Sequence, residues 1–479
     1  MKLEESKQLA EGAVSKALSV GASYAEARIQ NTRTRQFVLK NGESQPSFFA
    51  EGYGIGIRVI SRGALGFAAT NEMKSGLVNE LAERAVKLAK ASAPVLKKKI
   101  TFDSSKAVRR KWSPPESVKI ENADAGWLRK VLLDIESRIG EGEVGVKLPG
   151  RFLILGGELE EKYYVNSDGA RVEARLPRIG FYGSLTALEG GETAQRFLQQ
   201  GETGGLEVVK RVRLVEKVVE EAKTMGKVLR TAGKSPTDTV DVVLSPELSG
   251  IAAHESVGHP QEADRVLGRE GAQAGESYLK ADSLGRKIGS PEANVSDDPT
   301  LVHSMGYTPI DDEGVAAKKR RLIKNGVINE FLHNRATARE FGLKSNGASR
   351  SVSFDREPII RMSNTFVEPG DYSTEELIKE VKHGVFFKTF TEWNIDDKRF
   401  NQRYVALEAY MIEKGEVKGM VKAPVLEITT ARLWGSVKAR SKNMDFEAAV
   451  CGKGDPQQGA PVWTGGPETL LTGIKLGAR

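Results

Sequence analysis

Along residues 3–19, Leu3, Leu9, Ala10, Ala13, Ala17 and Leu18 recur at roughly helical spacing and Gly21 follows as a stop signal, which predicts a helix. The pattern then shortens to alternation. Strands are predicted over 23–29 and 36–40, and Tyr53–Ile60 reads as a strand that turns over Ser61-Arg62-Gly63 into 64–69 as a hairpin. A helical stretch over 75–92 follows, with Leu77, Leu81, Ala82, Ala85, Val86 and Leu88 on or near one face. Between Lys97 and Pro115, charge and proline mix without a period and mark a lobe boundary. Next come a helix over 124–139 and strands over 151–156, 160–166 and 170–173, the last two joined by the turn Ser167-Asp168-Gly169. Strand continues to about Leu188, a helix spans about 206–224, and the basic, proline-containing segment from Gly226 to Thr237 is the best interdomain boundary.

The second half opens with a buried-type strand, Thr239–Leu244, and a helix start at Ser245-Pro246-Glu247 whose Leu248, Ile251 and Ala252 point inward. Short strands with polar turns follow at 321–323, 327–332, 359–361, 404–413 and 426–430. The exception is a helix over 373–383, where Ser373-Thr374-Glu375-Glu376 supplies an N-cap with early acids and His383-Gly384 a terminal cation and stop. The class is therefore α+β. Three units are expected: an N-terminal α/β lobe over 1–98, a middle α/β lobe over 99–236, and a β-rich C-terminal domain over 237–479 that carries the chemistry.

With 479 residues, the chain is too long for one ordinary core, and 28% charged against 39% hydrophobic residues excludes a disordered class. The net charge of +7 is spread over interleaved clusters, so direct nucleic-acid binding is not expected. One cysteine, Cys451, excludes an intrachain disulfide framework and fits a reducing compartment. A charged start and the absence of any span-length apolar run make the cytoplasm the expected location, with no membrane contact. The glycines at 52, 54 and 56 lie in a strand pattern without a following helix, so no nucleotide cofactor is expected.

The candidate chemistry is concentrated in Ala253-His254-Glu255-Ser256-Val257-Gly258-His259-Pro260, which holds two of the five histidines beside a carboxylate. Catalytic zinc takes three protein ligands and keeps one position open, with a nearby glutamate as base for the water that occupies it. His254 and His259 are the candidate ligands and Glu255 the candidate base. Five steps along a regular helix rotate the second histidine by about 140°, away from the first. A π-bulge restores the common face; Gly258 is the residue most tolerant of it, and Pro260 then ends or kinks the helix. The third candidate ligand is Cys451, in the glycine-flanked segment Val450-Cys451-Gly452-Lys453-Gly454, read as a loop where Lys453 favours thiolate. Glu262 and Asp264 are the alternatives, as ligands or as acceptors that orient the histidine rings. His303, His333 and His383 each read as structural, His383 as a helix-end cation.

The chain resembles the TldD/PmbA family, metallopeptidases also described as modulators of DNA gyrase. Besides the histidine motif, the resemblance rests on Ile310-Asp311-Asp312-Glu313-Gly314, Leu322-Ile323-Lys324-Asn325-Gly326, Arg361-Met362-Ser363-Asn364-Thr365, Glu408-Ala409-Tyr410 and Cys451-Gly452-Lys453. It implies one zinc ion per chain on His254, His259 and Cys451, with Glu255 catalytic, and the metal-keeping branch of the family. It also implies an enclosed site in a homo-oligomer, or in a heteromer with a relative that lacks the motif. Two stretches depart from the family pattern: Thr389–Ile395 where glycines are expected, and Gly454-Asp455-Pro456-Gln457-Gln458 after the late cysteine. Peptides, short or unfolded, are the expected substrates. Asp311, Asp312 and Asn364 are candidate substrate-binding residues, because polar clusters bordered by glycine or short turns suit a ligand. A metal-dependent amidase on small molecules and a regulatory protein with a structural metal remain the alternatives.

Overall fold

The computed structural model describes residues 3–140, 144–272 and 274–477. Helices Leu3–Ser19 and Ser75–Ser92 pack through small side chains onto one face of the first sheet. Ala10, Ala13, Ala17, Ala82, Ala85 and Ala89 are fully buried there against Ala25, Ala27, Ile29, Ile55, Ile57 and Val59. The sheet runs in the order Ala64–Thr70, Phe48–Ser61, Tyr24–Lys40, Lys147–Asn166, Arg171–Glu189, Arg109–Trp112, and Glu192–Thr203 also pairs with Arg171–Glu189. It crosses both N-terminal lobes without a break, because Tyr24–Lys40 is hydrogen-bonded to Phe48–Ser61 on one side and to Lys147–Asn166 on the other.

Several sequence expectations change here, each for a physical reason. The two short strands over 23–29 and 36–40 are one strand of 17 residues. Asn31–Arg35 interrupts the apolar alternation, yet each of these residues is paired on both edges, so backbone bonding carries the strand through a polar patch. The strand Glu192–Thr203, absent from the sequence expectation, escapes because its pattern is inverted. Arg196 and Gln200 face inward and are buried, while Phe197 is 42% exposed. The helix expected over 206–224 is two, Glu207–Arg211 and Leu214–Thr231, parted at Arg213, whose backbone is left-handed with φ 51°.

The C-terminal half is built on two six-stranded sheets. One runs Glu416–Met420, Ala409–Glu413, His383–Phe387, Thr239–Leu244, Thr469–Lys475, Val437–Arg440; the other runs Val327–Ile328, Arg320–Lys324, Val295–Asp297, Asn364–Val367, Gln458–Gly466, Asp445–Lys453. A three-stranded sheet, Phe390–Ile395, Asn401–Ala406 and Val425–Thr429, stands beside them. The single strand expected over 404–413 is split between two sheets, and the one expected over 327–332 is only Val327–Ile328. The helix expected over 373–383 keeps its capping box, with Ser373 and Glu376 bonded reciprocally, but ends at Lys379. His383 is therefore no helix-end cation: it starts the strand His383–Phe387, with Nε2 3.5 Å from Asp238. Among the described residues, no helix is long and apolar enough to cross a membrane.

Candidate metal centre

The site grows out of one chain reversal. The strand Thr239–Leu244 ends at Ser245, whose Oγ accepts the N–H of Leu248 at 3.4 Å as an N-cap, and Pro246 takes the first helical position. The helix Pro246–Ala253 lies against the 458–466 strand so closely that a Cβ on Gly250 would stand 2.3 Å from Gly465 N. At His254 the winding loosens into a π-helical turn, His254–Gly258, and His259 N–H bonds back to the carbonyl of His254. A tight turn His259–Gln261 with Pro260 then ends the helix. The expected i→i+5 distortion is thus present, and it brings the imidazoles together with ring centroids 4.9 Å apart. The role of Gly258 differs from expectation. Its φ of −59° is ordinary for a helix, and what excludes a side chain is Met362, whose Sδ would lie 2.0 Å from an added Cβ.

Cys451 reaches the histidines from the other half of the same domain. It lies within the strand Asp445–Lys453, opposite Ala460, and not in the expected loop. The left-handed turn comes later, at Gly454. Cys451 Sγ is 3.4 Å from His259 Nε2, and one donor atom from each of His254, His259 and Cys451 lies within 4.8 Å of the others. Zinc bonds of about 2.0–2.3 Å place tetrahedral ligands roughly 3.3–3.8 Å apart, so small side-chain rotations close this cluster on one ion. The donor set fits that ion in a second respect. All three residues are buried, and among the described residues His254 Nδ1 has no hydrogen-bond partner, an arrangement that is costly unless something else satisfies it.

The electrostatics favour ligation. Burial holds both imidazoles below the ordinary histidine range, hence neutral at pH 7. Burial pushes the Cys451 thiol up, but facing His259 and Arg361 bring it down to about 7. Lys453, expected to favour the thiolate, is occupied elsewhere: its ammonium lies 2.7 Å from Asp264, 3.3 Å from Glu262 and 2.9 Å from the carbonyl of Ile360. Glu262 sits behind the candidate ligands, 3.1 Å from His259 Nδ1 and 2.7 Å from Arg265 Nε, so it orients the imidazole and leaves Nε2 facing Cys451. Burial would raise the Glu262 carboxyl, but Lys453 and Arg265 hold it well below the usual range. Glu255 is buried beside the cluster, its carboxylate ion-paired to Arg399.

His254, Glu255, His259, Arg399 and Cys451 line an open cavity of about 620 Å³ walled by both halves of the molecule. Glu247, Ile251, His254 and Glu255 face it from the helix; Arg196 and Phe197 from the first sheet; Phe390 and Trp393 from the stretch expected to be glycine-rich; Glu447, Ala449 and Cys451 from the 445–453 strand. Sequence reasoning missed Arg196 and Arg399, since an arginine within a charged turn or a strand reads as solvated surface. The structure does not bring Asp311, Asp312 or Asn364 to this cavity. Asp311 accepts the backbone N–H groups of Glu313, Val315 and Ser349 at 2.9–3.1 Å. Asp312 is paired with Lys162 at 3.1 Å, and Asn364 is tied to Asp298, Gly306 and Trp463. Asp311 and Asp312 line a separate pocket of about 80 Å³ with Glu160, Lys162, Arg178 and Arg350.

Family models match along the chain: the PmbA/TldA metallopeptidase domain 1 over residues 25–91, the central domain over 112–226 and the C-terminal domain over 237–478. The chain belongs to the TldD/PmbA metallopeptidase family. Within this family it is 30% identical over 455 residues to a metalloprotease from Methanocaldococcus jannaschii, covering 95% of this chain and 96% of that protein. It is also 30% identical over 239 residues to a zinc metalloprotease TldD homologue from Saccharolobus solfataricus, covering 49% of this chain and 51% of that one. The crystal structure of TldE from Thermococcus kodakarensis shares the fold, with a TM-score of 0.78 at 21% identity, covering 98% of this chain and 100% of that one.

Proposed function

We propose that this member of the TldD/PmbA family is a zinc-dependent peptidase for short or unfolded peptides, with one ion per chain held by His254, His259 and Cys451. The observation that carries this reading is the convergence of three buried donor atoms within 4.8 Å, beside a carboxylate and inside a cavity. A zinc relative by name, the Saccharolobus protein, supports the choice of metal. A bound zinc ion supplies Lewis acidity to water and to the peptide carbonyl. Glu255 takes the proton that water loses as its oxygen adds to the carbonyl carbon, and returns it to the amine nitrogen as the C–N bond breaks. Glu262 keeps the His259 ring turned toward the donor cluster throughout.

The form of the substrate follows from the wall that carries Cys451. The 445–453 strand is last in its sheet, and its outer edge has no strand partner among the described residues. An extended peptide can add along such an edge through its backbone, which a folded protein cannot offer. A homo-oligomer, or a heteromer with a relative lacking the motif, would complete the enclosure; the likeness to TldE makes the heteromer the first assembly to test. The single thiol, unpaired and buried, supports a reducing compartment, the cytoplasm.

The test is metal content together with cleavage of a mixed peptide pool, before and after chelation, for the wild type and for Glu255→Gln. Glutamine keeps size and hydrogen bonding but cannot accept the proton, so metal should stay while turnover falls by about 10²-fold or more. Cleavage that survives both chelation and Glu255→Gln would overturn the roles given to zinc and Glu255; a metal-loaded wild type that cleaves nothing in the pool would make the metal structural and the protein regulatory.

A further inference from the structure

The carboxylate proposed as the base is already held. Glu255 Oε2 is ion-paired to Nη1 of Arg399, and both side chains are nearly buried. Arg399 lies in the turn between the Phe390–Ile395 and Asn401–Ala406 strands with φ 64°, a left-handed conformation that an arginine adopts at a cost. The turn is pinned on every side. Arg399 N donates to Asp396 O at 2.9 Å, Phe400 N to Asp396 Oδ1 at 2.7 Å, Thr430 Oγ1 to Arg399 O at 2.9 Å, and Tyr278 N to Lys398 O at 2.9 Å. The guanidinium is thus delivered to the cavity by a turn held through four hydrogen bonds.

Its second nitrogen leads back to the ligands. Arg399 Nη2 donates to the carbonyl of Ala274 at 3.3 Å, and Ala274 is likewise left-handed, with φ 58°. The same carbonyl accepts Arg265 Nη1 at 2.5 Å, Arg265 Nε donates to Glu262 at 2.7 Å, and Glu262 meets His259 Nδ1 at 3.1 Å. One unbroken chain of polar contacts therefore runs from Glu255 through Arg399, Ala274, Arg265 and Glu262 to the back of His259. It joins the base to a ligand without passing through the ion's position.

Such a device answers a chemical problem. A glutamate adjacent in sequence to a histidine ligand is itself a good zinc donor, and a fourth protein ligand is what distinguishes a closed structural site from one open to water. A guanidinium held by a second bond, as Arg399 Nη2 is to the carbonyl of Ala274, competes strongly for a carboxylate through its other nitrogen. We propose that Arg399 is a positioning residue that keeps Glu255 out of the ion's coordination sphere, so that the fourth position stays open. This rests on the peptidase reading above, with Glu255 as base.

The experiment compares Arg399→Ala, Arg399→Lys, Glu255→Gln and the double variant Arg399→Ala/Glu255→Gln. Zinc affinity is read by competition with a chelator and coordination by the visible spectrum of the cobalt-substituted protein, alongside kcat and KM. Arg399→Ala should bind zinc about tenfold more tightly, because Glu255 is released to ligate. Its kcat should fall about 10²-fold with KM little changed. The added affinity should vanish in the double variant, and Arg399→Lys, which keeps charge without the second nitrogen, should lie between. An ion pair that merely supports the fold predicts weaker zinc binding in Arg399→Ala. That result, unchanged affinity, or a gain that persists without Glu255 overturns the proposal. If Arg399→Ala does not fold, Arg399→Lys carries the same comparison at smaller size. Full turnover in Glu255→Gln would sink Glu255 as the base, the reading on which this proposal rests; loss of turnover there with no affinity gain in the Arg399 variants would sink only the positioning role.

Discussion

The turn at Asp311-Asp312-Glu313 and the turn at His254–His259 are both short, buried and dense in titratable groups, and they differ in what their polar atoms have left to do. In the acidic turn the bonding is complete. Asp311 takes three backbone N–H groups, Asp312 takes Lys162 and Ser351 N, and Glu313 takes Arg58 Nη2 and Arg335 N, each at 2.7 Å. In the histidine turn, among the described residues, His254 Nδ1 has no hydrogen-bond partner and the Cys451 thiol has one, His259 Nε2. Each place holds three titratable side chains; what differs is unspent bonding capacity. Buried polar groups are normally satisfied, and the one left over here, His254 Nδ1, sits among two further candidate donors at the wall of a cavity, which is what a place for an ion requires.

That contrast can be broken from either side. The largest effect is expected at Arg58, which is buried between Glu26 at 2.8 Å and Glu313 at 2.7 Å. Arg58→Ala strands two buried carboxylates and should cost about 3–5 kcal/mol in denaturant unfolding, with zinc affinity of the folded fraction unchanged. A cost below about 1 kcal/mol would show that the cluster is not structural in this sense.

Acid should act on the same cluster by way of Glu160. Burial alone would raise its carboxyl, but Lys162 and Arg178 hold it at about 2, against 4.5 for the free side chain. A depressed folded-state value means that the unfolded chain takes up the proton first. The stabilisation is therefore present above pH 4.5 and lost as pH falls toward 2. The loss amounts to ~3 kcal/mol and should be missing from the pH titration of Glu160→Gln stability.

On the other side, Gly258→Ala forces a methyl against Met362 and should cost about 1–3 kcal/mol, read by thermal unfolding, while loosening zinc as the imidazoles part. Unchanged zinc affinity there would mean that the π-helical turn tolerates repacking. The smallest effect on the fold belongs to Cys451→Ser, which should alter metal-free stability by less than about 1 kcal/mol, since the contact of the sulfur with His259 Nε2 is one that a hydroxyl can keep. Zinc occupancy should nonetheless fall sharply in that variant, as elemental analysis would reveal; retained occupancy would hand the third position to another donor.

How far the site was legible follows the same division. The five-residue histidine spacing demanded a local widening of the helix, and the widening is there, because geometry within one turn is a property of the sequence alone. The reason for Gly258 was not legible, since Met362 lies a hundred residues away and only packing brings it close. Cys451 was readable as a candidate ligand but not as part of a strand: flanking glycines signal a loop, whereas Gly452 serves the contact with Gln457, whose Nε2 would be 2.2 Å from a Cβ. The inward Arg196 hid a whole strand, because its partners Glu221 and Glu247 are found only in three dimensions. Local periodicity reports what a segment can bury; it is silent about a charge whose counter-charge comes from elsewhere.

The distance along the chain between the candidate ligands has a consequence in time. His259 and Cys451 are 192 residues apart. At a synthesis rate of about 5–20 residues per second, the sulfur emerges roughly 10–40 s after the imidazole it faces. On the proposed ligand set, a growing chain carries the histidines and Glu255 through that interval without the thiolate that completes them. The strand bearing Cys451 must also pair with the 458–466 strand and meet the first sheet before the cavity closes. A peptidase arranged this way is chemically inert while it is itself an unfolded polypeptide, and becomes competent only when no such substrate remains in its own chain.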